Sequence, residues 1–274
     1  MKSITAIVAA TILVFAAQAS AQWARYPDSS IPRTRDGKPD LSARAPKAQD
    51  GKVDLSGVWQ TESDPNAIPP GIETVESITG LTPPRHFVNI MADLKPQEVP
   101  FQPWAAALFQ QRAQSNGKDD PVAHCQPTGV PALASLPIPY KIVQTPRLIV
   151  ILYEADTVFR QIFLDARQPV EDPQPRWMGY STGKWEGDTL VVNTVGFTEK
   201  SWLDRLGHPH SDALRVIERF RRPDAGHLEI QVTLDDPKAY TKPITYTQKA
   251  QLVPEDDLLE YFCTENEKDR QHYQ

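Results

Sequence analysis

From His227 to Asp235 the chain alternates without exception. Leu228, Ile230, Val232 and Leu234 are apolar, and Glu229, Gln231, Thr233 and Asp235 are polar. A period of two sorts these residues onto the two faces of a β-strand, the pattern of a half-buried antiparallel strand. A strand cannot stand alone, because its backbone donors and acceptors need partners on both sides. This segment therefore calls for neighbours.

The neighbours are legible from Tyr140 onward. Tyr140–Thr145 and Leu148–Glu154 read as strands around a Pro146-Arg147 turn. Thr157–Asp165 follows, with Val158, Arg160, Ile162 and Leu164 on one face. Trp177–Lys184 and Thr189–Phe197 flank Trp185-Glu186-Gly187-Asp188, a hairpin signal. Arg215–Arg222 and His227–Asp235 flank Pro223-Asp224-Ala225-Gly226, another. Ile244–Val253 adds a strand, and Leu258–Phe262 is a candidate for a short one. With Val58-Trp59-Gln60 as the first, this makes about eight or nine strands. Closing such a meander removes its edges. The expected fold is mainly β: an antiparallel up-and-down, lipocalin-like β-barrel spanning about Val53 to Phe262. A two-sheet β-sandwich is the alternative.

The first half reads differently. Of 274 residues, 26 are Pro and 13 are Gly, and most of the Pro precede residue 176, which makes that half loop-rich. Residues 64–139 form a Pro-rich insertion after the first strand. A helix is expected at Pro103–Gln114, where Pro103 suits the first turn and Trp104, Leu108 and Gln111 recur at helical spacing. A second is plausible near Ile90–Leu94. Residues 22–52 form an extended lead-in with a short repeat: Asp36–Ala43 (DGKPDLSA) recurs as Asp50–Gly57 (DGKVDLSG). Two copies are too few for a solenoid. They read as a duplicated linker or docking strip.

The N-terminus carries an export pattern. Met1-Lys2-Ser3 is basic, Ile4–Ala17 is uncharged and mostly apolar, and Ala19-Ser20-Ala21 fits a cleavage site. The run is short for a membrane span, which needs about 20 apolar residues. Residues 1–21 are expected to be a signal peptide, with the mature chain starting at Gln22 in the periplasm or outside the cell and not held in a membrane. Residues 53–274 then form one domain. The net charge of −6 disfavours nucleic acid as a partner. Two cysteines, Cys125 and Cys263, are most simply a disulfide in an oxidising compartment. The other reading is a pair of buried thiols.

Leu55-Ser56-Gly57-Val58-Trp59 resembles the Gly-x-Trp that opens lipocalin-type barrels. That resemblance implies that Trp59 closes one barrel end. Asp54–Trp59, Trp185–Val192, His208–Ser211 and Phe262–Glu267 together are similar to an abundant family of exported bacterial proteins, over most of the mature chain. This resemblance implies an exported single domain and brings no activity with it.

Several residues carry chemistry. His208 and His210 flank Pro209 in a loop between strands, an arrangement that suits acid–base work or part of a metal site. Asp204, Asp212 or Glu218 would supply a further ligand or orient an imidazole. The competing reading is that both histidines order their loop. Glu218 shares a face with Val216 and Phe220, and Arg160 shares one with Val158 and Ile162; if both faces point inward, the two can pair inside the barrel as a structural clamp or a ligand anchor, whereas the opposite register would put Ile217 on the core face. Trp177, Tyr180 and Trp202 are candidates to line a ligand cavity, while Trp185 reads as barrel-end packing. Glu260, Glu265, Asn266, Glu267 and Asp269 read as solvated surface. No P-loop, Gly-x-Gly-x-x-Gly, Gly-x-Ser-x-Gly or His-Glu-x-x-His occurs. The expected function is binding of a small apolar or aromatic molecule. The alternative is a cofactor-independent or metal-assisted lyase, isomerase or hydrolase working through His208 and His210, with Arg160 holding an anionic group.

Overall fold

The computed structural model describes residues 27–64, 82–115, 117–167 and 173–263. The expected leader and the expected mature start at Gln22, together with Glu265, Asn266, Glu267 and Asp269, lie outside the described residues. The described residues form nine strands: β1 (Gly57–Thr61), β2 (Tyr140–Gln144), β3 (Leu148–Tyr153), β4 (Phe159–Phe163), β5 (Tyr180–Glu186), β6 (Thr189–Val195), β7 (Arg215–Arg221), β8 (His227–Asp235) and β9 (Ile244–Leu252). Each pairs with its sequence neighbours, and β9 pairs with β1, so the sheet closes into a barrel and is not a sandwich.

Every joint is antiparallel but one. β4 and β5 run parallel and keep register over only two pairs, Ile162 with Ser181 and Phe163 with Thr182. The expectation of an antiparallel barrel throughout needs that correction, and the reason is parity. Nine strands that strictly alternated in direction would bring β1 and β9 together parallel. They meet antiparallel, so one joint elsewhere has to be parallel. β4 ends at Phe163 and β5 starts at Tyr180, a separation too long for a hairpin turn and long enough for the return crossing that a parallel pair requires.

Strand faces follow the side-chain pattern. β8 buries Leu228, Ile230, Val232 and Leu234, each contributing about 1.5–3 kcal/mol of transfer free energy. β9 buries Ile244, Tyr246, Gln248, Ala250 and Leu252 between exposed residues. β7 turns Val216, Glu218 and Phe220 inward, and β4 turns Arg160 and Ile162 inward. Between β5 and β6 only Gly187 and Asp188 form the loop, with Gly187 at φ 63°, a conformation that side chains disfavour.

Both barrel ends are covered. At one, Trp59 is fully buried, donates its Nε1–H to the Leu55 carbonyl at 3.0 Å, and lies under the Arg222 guanidinium, 4.8 Å from the ring centre. Gly57 suits the place beside it: its φ of 140° disfavours a side chain, and a Cβ there would stand 2.5 Å from Leu252 Cδ1. The repeated octapeptide builds the same turn twice. Thr34 N–H reaches the Lys38 carbonyl and Ala48 N–H the Lys52 carbonyl, both at 2.8 Å, with Gly37 and Gly51 left-handed in each. The first copy docks on the β7–β8 turn, where Gly226 N–H donates to the Leu41 carbonyl and Ala225 N–H to that of Ala43. At the other end the Pro-rich segment packs Val130, Leu133 and Ala134 into the core. Thr61 Oγ1 donates to the Ala134 carbonyl and Ser135 Oγ to Gln248 Oε1 there.

Helix α2 spans Pro103–Gln114 as expected. The helix expected near Ile90–Leu94 is instead a single turn, α1 (Arg85–Val88), started by Pro84; Ile90 and Met91 beyond it are buried in a turn. Leu258–Phe262 does not form a strand, because barrel closure leaves no free edge for it to join. It lies across the outside, with Leu259 N–H on Glu154 Oε2 and Tyr261 N–H on Thr157 Oγ1. The strip ends at the disulfide Cys125–Cys263, whose Cα atoms are 5.5 Å apart. Among the described residues no helix is long and apolar enough to cross a membrane.

Candidate functional site

The parallel joint opens the barrel wall. β4 and β5 touch only at Ile162–Phe163 and Ser181–Thr182, and the chains leading into them diverge. Residues 157–161 on one side and 176–180 on the other bound a slot of about 400 Å³. Pro127, Phe159, Phe163, Trp177, Tyr180 and Arg176 line it, and buried Arg160 and Ser181 form its floor. The Phe163 and Tyr180 rings tilt towards each other at 5.4 Å. Phe159 is 60 % exposed, an apolar ring left uncovered at the slot.

Both rims are held in place. On the β5 side, Gly179 at φ 61° turns the chain between Trp177 and Tyr180, and a Cβ there would stand 2.7 Å from Thr194 Cγ2. Arg176 is pinned by its backbone: its N–H donates to the Gly196 carbonyl, and its carbonyl accepts from Thr198 and Gly179. At the start of β4 lie three of the four described non-glycine residues with positive φ: Cys125 at φ 55°, Asp156 at 61° and Thr157 at 49°. Such backbone costs of order 1–3 kcal/mol per residue and persists only where surroundings enforce it. Here Asp156 Oδ2 accepts from Thr128 N–H and Oγ1, Thr157 Oγ1 donates to the Tyr261 carbonyl, and the disulfide fixes Cys125.

Beneath the slot, Arg160 and Glu218 pair as expected. Arg160 Nη1 donates to Glu218 Oε1 at 3.0 Å, and Nη2 donates to Oε2. Arg160 Nε donates to Ser181 Oγ at 3.0 Å and Nη2 also to Thr194 Oγ1 at 2.7 Å. Burial works against the Arg160 charge, but attraction and hydrogen bonds from Glu218 outweigh it and raise the guanidinium pKa. Burial pushes the neighbouring Tyr153 hydroxyl up to about 12. The guanidinium is engaged by protein partners and serves as a clamp, so an anion-holding role for Arg160 gives way to a structural one.

The histidines do not converge. His208 Nδ1 lies 2.5 Å from Asp204 Oδ2, and its ring stacks on Phe109 at 4.3 Å and Phe101 at 5.5 Å. Asp204 also accepts from the N–H groups of Ile90, Gly207 and His208. His210 turns to other partners: Nδ1–H donates to the Ser211 carbonyl at 3.0 Å, and Nε2 accepts from Ser201 Oγ at 2.8 Å. Burial lowers the His210 pKa, which agrees with this neutral form. Both imidazoles are buried, and neither lines the slot. The structure thus brings Asp204 to His208 and Glu218 to Arg160 as two separate pairs. Among the described residues no group of three or more His, Cys, Asp or Glu side chains is placed to hold a metal ion.

Of the expected ligand-binding residues, Arg160, Trp177 and Tyr180 meet at the slot. Trp202 does not; it is buried in the wall of an adjoining cleft of about 620 Å³, under Arg112, and Trp177 separates that cleft from the slot. Phe159, Phe163, Pro127 and Arg176 were not foreseen. Phe163 lies in a strand assigned from the sequence, but no pattern there says that the next strand diverges from it. A further recess, near 320 Å³, lies between Thr61, Asp64, Arg85, His86 and Gln248, and its lining has polar and charged groups without aromatic walls. The sequence matches no family model and no curated protein.

Proposed function

We propose that the protein binds a small, flat, apolar or aromatic molecule in the slot between β4 and β5. The observation that carries this reading is the slot itself: about 400 Å³ in an otherwise closed barrel, walled by Phe163, Trp177 and Tyr180. Pre-formed, mostly apolar concavities with a few fixed polar groups are where small ligands bind. The left-handed backbone at Cys125, Asp156 and Thr157 adds support, since enforced strain clusters at functional sites. The reading places this chain as an exported binding or carrier protein. Support for export comes from the leader pattern and from a disulfide that forms in an oxidising compartment.

The test is calorimetric titration with 2-naphthamide, a neutral two-ring probe. The wild-type protein is expected to bind it, and Trp177→Ala or Tyr180→Ala to weaken binding about 3- to 10-fold, the worth of one aromatic face. Wild-type affinity in both variants would refute the slot as the site.

A further inference from the structure

We infer that the ligand of the slot is an aromatic acid, recognised through Arg176; this rests on the slot being the binding site. Two arginines lie against its aromatic side chains, and they differ. Arg167 is a closed pair: Nε and Nη2 donate to the two carboxylate oxygens of Asp165 at 2.7 and 2.6 Å. Its guanidinium lies over Phe163, 3.7 Å from the ring centre, Nη1 donates to the Tyr180 hydroxyl at 3.4 Å, and Arg167 is not part of the slot lining. Arg176 makes no ion pair and no side-chain hydrogen bond among the described residues, and its side chain is exposed at the slot rim. Its guanidinium sits 5.9 Å from the centre of the Tyr180 ring.

Among the described residues, the slot lining contains no carboxylate. Glu218, beneath the floor, is bound to Arg160. Among the described lining residues, the one charge without a carboxylate partner is therefore that of Arg176, in a chain of net charge −6. A planar guanidinium presents paired donors that match a carboxylate, and it stays charged at any working pH. An aromatic ring lying in the slot against Trp177 and Tyr180 would present a carboxylate on its edge to the rim, where Arg176 waits on a backbone fixed at three points. The slot volume admits one or two fused rings. The class is thus an arene carboxylate of that size, with the charge partly in water and the ring out of it.

Calorimetric titration of the disulfide-bonded protein with 2-naphthoate and with 2-naphthamide separates the charge from the ring. The acid is expected to bind about fivefold more tightly than the amide, the upper range for a partly exposed ion pair. In Arg176→Gln the ratio of the two affinities is expected to fall to about one, and in Arg176→Lys to keep part of its value. Equal affinities in the wild type, or an unchanged ratio in Arg176→Gln, would overturn the inference while leaving the slot as a site for neutral rings. Failure of both probes to bind would overturn the slot reading and this inference together.

Discussion

Arg160 and Glu218 face each other inside the barrel, 2 % and 1 % exposed, with the guanidinium fork on the carboxylate. Ser181 and Thr194 accept the remaining donors aimed their way, and the two hydroxyls lie 3.0 Å apart. A buried pair of this kind is not a large net stabiliser, because desolvation offsets attraction, but either charge alone is costly. Glu218→Ala or Arg160→Ala is expected to cost about 3–5 kcal/mol in urea unfolding, and Arg160→Met with Glu218→Leu to recover most of that loss. A double variant as unstable as the single ones would contradict this account of the clamp.

That pair was also among the more legible features of the chain. Val216 and Phe220 mark the core face of β7 and carry Glu218 with them, once the register with Ile217 inward is set aside, and Ile162 does the same for Arg160. The alternation in β8, the Gly187-Asp188 hairpin and the cysteine pair were equally readable. The slot was not, because it follows from strand parity and the divergence of β4 from β5, which no local pattern records. The histidines misled for a related reason. The spacing of His208 and His210 suggested convergence, but Pro209 lies between rings that turn to Asp204 and to Ser201.

The disulfide ties the outer strip to the corner that forms the β4 rim. Replacing Cys125 and Cys263 by Ser is expected to cost about 2–4 kcal/mol, chiefly by freeing the unfolded chain. The check is the urea midpoint of the double variant against the oxidised wild type, with reduced wild type expected to follow the variant. Coincident midpoints for all three would show that the crosslink carries no stability.

His210 makes stability depend on pH in a defined direction. Its burial lowers the pKa from an ordinary 6.5, and His86 is shifted the same way by burial. Between the folded value and about 6.5 the unfolded chain holds more protons, so stability rises with pH there. The contribution is complete above about 6.5 and is lost as pH falls through the folded value. An NMR titration of the His210 imidazole is expected to give a midpoint below 6.5, with Tm falling over the same window and falling less in His210→Asn. A midpoint at or above 6.5 would contradict the buried neutral ring.

The central claim is that ligand enters the wall of the barrel between β4 and β5, and amide chemical-shift mapping tests it most directly. On saturation with 2-naphthoate, the largest shifts are expected in residues 157–163 and 176–181, with the His208–Ser211 loop little changed. Shifts centred on His208 and His210, or none anywhere, would contradict it.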